Sequence, residues 1–413
     1  MDSFDASDGV VVVGAGLGGW STAKALRDFG YAGRIRVLGA ELHLPYDRPE
    51  LSKTYLLGPG AKSPRLYATA NDLRDLRIEV LLGQSARQLF AERGELRIAD
   101  GTVRYETLVI ATGSRARELP GLDGLQGIFT LRSLDDAERL RNALSESSRV
   151  AVLGFGLIGS EIAAACNQLG KAVTVVEASE QTFPQLGREL GERILELHEM
   201  NGVRFRLGRR LLNVVGDKKV SAIVLDDGEV IGTDIVIVAV GAIPVCEWVS
   251  GSELLVANGI RCDERLRAYR NIYAVGDVAE WPNPLYDRRM RVEHWTTTVE
   301  QARYVAKMIA RPVEDRFSGV PYFWSDQFGR RFQALGLTGG ESDAGPWTFE
   351  GEGGSAITLF FEGERLVGVA GIDSPRVLMQ LRRVLQERGS HDSAMSVLAR
   401  ESGLRRSERF AEG

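Results

Sequence analysis

The stretch Val10-Val-Val-Val-Gly-Ala-Gly-Leu-Gly-Gly19 decides the fold, and an altered copy returns as Val150-Ala-Val-Leu-Gly-Phe-Gly-Leu-Ile-Gly159. Each is an apolar run short enough for a buried strand, stopped by a glycine turn and followed by a helical pattern. The first unit reads as a strand over 10–13, a helix over about 17–29 and a strand over about 34–38. The second reads as a strand over 150–153, a helix over about 158–169 and a strand over about 173–176. In each turn the first glycine (Gly14, Gly154) permits the tight bend. The second (Gly16, Gly156) lets backbone approach a pyrophosphate, and the third (Gly19, Gly159) lets helix pack on strand. The helix N-terminus then meets the phosphates. Two such β-α-β units predict an α/β chain with two Rossmann-like dinucleotide-binding domains, one inserted in the other.

The insertion is read from what lies between the units. Residues 106–113 (Glu-Thr-Leu-Val-Ile-Ala-Thr-Gly) form a short buried-strand run that closes the first unit, and 233–241 is its counterpart after the second. The segments 114–124 and 241–244 are rich in Gly and Pro and read as linkers. A strand within 271–277 then returns to the first domain. The expected division is 1–115 with 245–320, then 116–244, then a C-terminal α+β domain over 321–413. In that last domain 357–372 reads as a strand hairpin and 374–387 as an amphipathic helix. Beyond 390 the periodicity fades, and that end is expected to be loosely attached.

Composition narrows the function classes. The chain has 413 residues, 44% hydrophobic and 26% charged, with net charge −5, so no large basic field exists for wrapping nucleic acid. The acidic start, residues 1–8, lacks the features of a signal peptide. The longest apolar run, 235–245, is interrupted by Gly241 and Pro244 and is too short for a membrane span. Cys166, Cys246 and Cys262 stand far apart, which suits a reducing cytosol. Four scattered histidines (His43, His198, His294, His391) predict no metal site. Glu41 follows the second strand of the first unit and Glu177 ends that of the second, each placed for a ribose hydroxyl. No Lys or Arg stands at Ala178 or Ser179 to meet a 2'-phosphate, so NADH is expected over NADPH.

The residues that follow carry a resemblance. Leu44-Pro-Tyr-Asp-Arg-Pro-Glu-Leu-Ser-Lys53 is very similar to a signature of the FAD-containing ferredoxin reductases that serve bacterial oxygenases and cytochromes P450, the putidaredoxin reductase type of the glutathione reductase superfamily. Ala111-Thr-Gly113, Gly276-Asp277, Glu293-His-Trp295 and Pro321-Tyr-Phe-Trp-Ser-Asp-Gln327 resemble that family's blocks in the same order. Two departures stand out: Phe155, where a glycine is common, must turn its side chain away from the ligand, and Ala40 replaces a common acidic residue, leaving Glu41 as the ribose partner.

The resemblance implies a non-covalent FAD held by Gly14, Gly16, Gly19, Glu41, Arg48, Ala111, Thr112, Gly113, Asp277 and Trp295. It implies NADH held by Gly154, Gly156, Gly159, Glu177 and Gly241. Asp277 would bind the ribityl chain, and the amides at the start of the Trp295 helix would face the flavin. Lys53, beside the flavin and paired with Glu161 on the first turn of its helix, would act on hydride transfer, and Trp324 would close the site. Disulfide reductases of the superfamily carry cysteines in the segment matching 42–57; this chain carries none there. Electrons would therefore leave to an external [2Fe-2S] ferredoxin that feeds an oxygenase or P450. That partner is acidic, so docking requires a local basic patch, with Arg288, Arg289 and Arg291 first and Arg330 and Arg331 second. The rivals are an NADH oxidase or monodehydroascorbate-type reductase, and a flavin-binding redox-switch protein.

Overall fold

Four consecutive valines can be buried on both faces only inside a parallel sheet covered on each side, and Val10–Val13 take that place. The computed structural model describes residues 9–58, 63–122, 124–311, 314–339, 346–401 and 403–407. The acidic start, over 1–8, lies outside them. The chain divides into two units: Met1–Asp47, Arg65–Arg115 and Ile243–Tyr322 form one, and Arg48–Pro64, Ala116–Ala242 and Phe323–Gly413 the other.

In the first unit six strands run in the order Arg267–Tyr269, Ile272–Ala274, Thr107–Ile110, Val10–Val13, Ile35–Leu38, Ile78–Leu81. All neighbours are parallel except the first pair. Val10 stands opposite both Ile35 and Thr107, and Ile272 opposite Leu108, so the strand at 272–274 does return to the first sheet. The helix Leu17–Asp28 packs on the helix Trp295–Ala310. Gly18 permits the approach: a Cβ there would stand 3.3 Å from Thr298 Cγ2 and 3.4 Å from Val275 Cγ2.

The second unit repeats the device with five parallel strands in the order Arg204–Leu207, Ala172–Glu177, Arg149–Leu153, Ile235–Val238, Ile128–Phe129. The helix Leu157–Gln168 follows its central strand. The helix Leu134–Ser145 starts at a capping box in which Ser133 and Asp136 satisfy each other's amides. The C-terminal part is a six-stranded sheet that includes Tyr322–Gln327, Arg330–Gly336, Ala356–Glu362 and Arg365–Ile372, followed by the helix Pro375–Gln386.

Residues 391–401 and 403–407 correct an expectation; 402 and 408–413 lie outside the described residues. In place of a loose tail, a helix runs over His391–Leu398 with Ala394 and Leu398 buried, and Arg405–Arg406 adds a strand antiparallel to Trp347–Glu350. Ser390 caps the helix by accepting from the Ser393 amide. Two apolar residues four apart suffice to anchor so short a helix, too faint a period to register in the sequence.

Candidate active site

Both glycine turns are built by steric exclusion. Gly14 has φ +110°, and a Cβ there would fall on the Ala111 carbonyl; one on Gly19 would fall on the Gly14 carbonyl. Gly154 has φ +96° and a Cβ there would lie 2.5 Å from the Ala239 oxygen, while one on Gly159 would strike the Gly154 carbonyl. Gly16 and Gly156 are the N-caps. Neither helix has a capping side chain or an acidic residue in its first turn, and a Cβ on Gly156 would meet nothing within 4 Å. The first-turn amides of both helices are thus left uncapped by side chains at their positive end, which fits a dinucleotide pyrophosphate.

In the first unit Ala111–Gly113 is pinned to the returning chain. Thr112 Oγ1 donates to the Val245 carbonyl at 2.6 Å, and the Val245 amide donates to the Gly113 carbonyl at 2.9 Å. Glu41 Oε2 accepts from the Tyr46 hydroxyl at 2.6 Å. Asp277 lies in the 3-10 turn Gly276–Val278 and accepts from the Ser114 hydroxyl at 2.8 Å. Trp295 opens its helix and points its indole N–H at Asp47 Oδ1 (3.3 Å) and the Tyr67 hydroxyl (3.1 Å). Further along the same helix, Gln301 accepts from the Gly276 amide at 2.7 Å. Its Nε2 and the Thr297 hydroxyl are buried without a hydrogen-bond partner among the described residues. Buried donors are rarely left so, and together with the first glycine turn they fit FAD, whose polar atoms would satisfy them.

In the second unit Glu177 ends its strand and grips the glycine turn: Oε2 accepts from the Phe155 amide at 2.7 Å and Oε1 from the Ser179 amide at 2.9 Å. Each oxygen retains a lone pair for a ribose hydroxyl. Phe155 is 2% exposed, its ring edge-on to those of Phe183, His198 and Phe205. Gly241 is exposed with φ +101°, and its carbonyl accepts from the Arg117 amide at 3.0 Å. Arg48 donates from Nη1 to the Arg132 carbonyl at 2.9 Å.

The same unit brings Lys53 to Glu161. Lys53 Nζ is 3.4 Å from Glu161 Oε1, 3.8 Å from Asp326 Oδ2 and 6.0 Å from the centre of the Trp324 ring. Glu161 is the fifth residue of Leu157–Gln168, one place beyond the first turn where the sequence reading put it, because the helix starts at Leu157. Burial pushes its carboxyl above the usual range, opposed by Lys53 and by the hydroxyls of Ser325 and Ser52. Both hydroxyls donate to it at 2.5 Å. Ser325 accepts in turn from Gln327, and Gln327 meets the buried His198. Sequence reasoning missed Ser52, Ser325, Gln327 and His198. Ser52, Ser325 and Gln327 lay inside the two blocks it quoted; His198 carried no signal.

The arginines expected to form a basic face differ in their use. Arg288 and Arg289 are exposed, although Arg289 also donates to the Cys262 and Glu280 carbonyls. Arg291 is 11% exposed and bound to Glu293, Asn258 and the Asp277 carbonyl. Arg330 is held by Asp373 and two glycine carbonyls, and Arg331 by Asp326. The three cysteines are free; burial pushes the thiols of Cys166 and Cys262 up to about 12. Among the described residues no helix is long and apolar enough to cross a membrane, and no group of three or more His, Cys, Asp or Glu is gathered to hold a metal.

Comparison with known proteins bears on this geometry. Residues 8–302 match the family described as pyridine nucleotide-disulphide oxidoreductase, and 322–406 the domain described as reductase C-terminal. The benzene 1,2-dioxygenase system ferredoxin–NAD(+) reductase subunit of Pseudomonas putida is 34% identical over 384 residues, 91% of this chain and 92% of that one. A crystal structure of the ferredoxin reductase for the CYP199A2 system of Rhodopseudomonas palustris superposes with a TM-score of 0.88 at 31% identity, covering 92% of this chain and 95% of that chain. Putidaredoxin reductase, in its covalent complex with putidaredoxin, gives 0.87 at 30%, covering 95% and 98%. With two glycine turns of one build and a C-terminal domain matched separately, the chain belongs to the pyridine nucleotide-disulphide oxidoreductases, in their putidaredoxin reductase-type ferredoxin reductase branch.

Proposed function

We propose that this protein is an NADH-dependent ferredoxin reductase that passes electrons through FAD to a [2Fe-2S] ferredoxin serving an oxygenase or cytochrome P450. The observation that carries this reading is the pair of glycine turns with no cysteine in 42–57. Two dinucleotides are held, and no dithiol stands after the flavin to take its electrons. FAD bound there would supply the redox chemistry, hydride acceptance from NADH and single-electron return.

The chain's own residues hold and bias. Gly14, Gly16 and Gly19, with Ala111 to Gly113, present backbone to the FAD pyrophosphate; Glu41 takes its ribose, Asp277 the ribityl hydroxyls, and Arg48 and the Trp295 helix further polar groups. Gly154, Gly156, Gly159 and Gly241 line the NADH path, and Glu177 selects the 2'-hydroxyl. Lys53 is a cation fixed by two carboxylates, Glu161 and Asp326. In this reading its charge would favour the negative charge that grows on the flavin during reduction, with no reorganisation needed at that moment. Glu161 keeps the ammonium in place, and Trp324 covers it. The division into an FAD domain (1–115 and 245–320), an NAD domain (116–244) and a C-terminal domain (321–413) belongs to this reading.

For docking, Arg288 and Arg289 are the exposed cations of their strand, and Arg291 serves the turn at Asp277 instead. Three free cysteines suit the reducing cytoplasm. The test is steady-state turnover of the purified protein with NADH. Ferredoxin-dependent cytochrome c reduction is expected to be fast and direct oxygen consumption slow; if no ferredoxin is reduced faster than oxygen, the oxidase reading replaces this one.

A further inference from the structure

A line of buried polar groups in the second unit runs from Glu161 to a histidine that the reaction does not otherwise use. Ser325 Oγ donates to Glu161 Oε1 at 2.5 Å. Gln327 Nε2 donates to Ser325 Oγ and to Ser160 Oγ, both at 2.8 Å. Gln327 Oε1 faces His198 Nε2 at 2.8 Å. Ser160, Ser325, Gln327 and His198 are each no more than 2% exposed.

The proton positions follow from the partners. The hydroxyl proton of Ser160 is taken by the Leu157 carbonyl at 3.0 Å and that of Ser325 by Glu161, so both hydroxyls must accept from the Gln327 amide. The amide oxygen then faces His198, which must carry its proton on Nε2. His198 Nδ1 is buried without a hydrogen-bond partner among the described residues, and the imidazole lies edge-on to the rings of Phe155 and Phe328, with centroids 5.0 and 4.9 Å apart. Burial holds the imidazole neutral, its pKa pushed down to about 4, and the Gln327 oxygen at Nε2 selects one tautomer. The line from His198 through Gln327 and Ser325 therefore has a single sense, its donors aimed toward Glu161, with Ser160 as a side branch.

The other carboxylate oxygen is freer. Ser52 donates to Oε2 at 2.5 Å but has a second acceptor in the Pro49 carbonyl at 3.4 Å, so its hydroxyl can turn and leave Oε2 open to a proton. Oε1, where Lys53 is bound, has no such option while Gln327 is fixed.

We propose that His198 and Gln327 are positioning residues: through Ser325 they keep Glu161 Oε1 a permanent acceptor, and so hold the Lys53 ammonium on that oxygen and confine any proton to Oε2. The proposal rests on the reading of Lys53 and Glu161 as the pair that acts on flavin reduction. Phe155 ties the same histidine to the NADH turn, because its ring packs on His198 while its amide is held by Glu177.

Two substitutions separate hydrogen bonding from packing. His198→Phe keeps an aromatic ring among Phe155, Phe205 and Phe328 and removes the N–H; His198→Gln keeps a donor at the reach of Nε2 and removes the ring. Three quantities are read on the FAD-loaded enzyme: the rate of flavin reduction by NADH, the pH midpoint of the resting flavin absorption spectrum, and Tm. The charged groups facing Glu161 among the described residues are Lys53 and, beyond it, Asp326, and neither is altered.

Loss of the fixed donor disfavours the carboxylate, so the midpoint rises and the protonated form persists to higher pH. His198→Phe is expected to slow reduction about tenfold at saturating NADH, leave KM within about twofold, and raise the midpoint by about one pH unit. His198→Gln is expected to restore rate and midpoint to near wild-type values at a lower Tm. The reverse order, with the Phe variant normal and the Gln variant slow, would make His198 a packing residue and overturn the proposal. Gln327→Met, equal in length and without a hydrogen-bond donor, gives a second handle should His198→Gln not fold. It should match His198→Phe, and wild-type behaviour overturns the proposal equally. Glu161→Gln guards the underlying reading: if it reduces flavin as fast as wild type, the pair itself is misassigned. If it is slow while Gln327→Met is normal, only the chain is.

Discussion

The two glycine turns share a backbone and differ in what stands behind it. In the first, Ala15 follows the leading glycine, and Gly39 comes so close that a Cβ on it would lie 2.8 Å from the Ala15 Cβ. In the second, Phe155 occupies the matching place and drives its ring into an aromatic cluster, while Glu177 holds its amide. One turn is tightened by absent atoms and the other by a large side chain anchored elsewhere. The steric requirement therefore lies in the first and last glycines of each turn, Gly14 and Gly19, Gly154 and Gly159, and the residue after the first is free to be recruited for other work.

The largest effect should come from breaking the shared part. Gly14→Ala places a Cβ on the Ala111 carbonyl at a positive φ and is expected to yield protein without FAD, read by absorbance and by chromatography of the released chromophore. Gly156→Ala, where a Cβ meets open space, should fold with a full complement of FAD and show only weakened NADH binding. Equal damage from both would sink the steric comparison.

Next in size is Lys53→Met. With the fixed charge gone, flavin reduction in stopped flow is expected to slow about a hundredfold with FAD content near normal; an unchanged rate would return Lys53 and Glu161 to a structural role. Glu177→Ala tests what is particular to the second turn. The preference for NADH over NADPH in kcat/KM should fall roughly tenfold, and NADH affinity should fall with it, because the Phe155 amide is released. An unaltered preference would remove Glu177 from the specificity assignment. The smallest effect is expected from Arg288→Glu with Arg289→Glu: a rise of a few-fold in KM for ferredoxin, with a weaker dependence on salt near 0.1 M, where the Debye length is about 10 Å. Reduction by NADH should be untouched, and unchanged ferredoxin kinetics would move the docking face elsewhere.

Much of this was legible because it is local. A strand, a glycine turn and a helix within twenty residues announce themselves by period and by the residues that a positive φ demands, and Val10–Val13 and Ile235–Val238 lie where the apolar runs predict. The buried polar chain was not legible, since Glu161 stands 109 residues from Ser52 and 164 from Ser325. Polar residues that satisfy one another at such separations leave no period behind. Arg291 misled for a related reason: three arginines in four positions read as a solvated face, but the third finds the Asp277 carbonyl and Glu293. Short helices with two buried residues, such as His391–Leu398, fall below the strength at which periodicity shows.

The strand Ile272–Ala274 lies beside Thr107–Ile110, and this orders events during synthesis. At ~5–20 residues per second, the edge of Thr107–Ile110 emerges from the ribosome and waits roughly ten to thirty seconds for its neighbour. Over the same interval the five strands between Ile128 and Val238 are all delivered and can close their own sheet. The five-stranded sheet is thus able to close first, while the six-stranded sheet holds an open strand edge, the kind of surface that invites misassociation. A released chain truncated near residue 250 should accordingly resist pulse proteolysis within 128–238 and be cut readily within the first hundred residues.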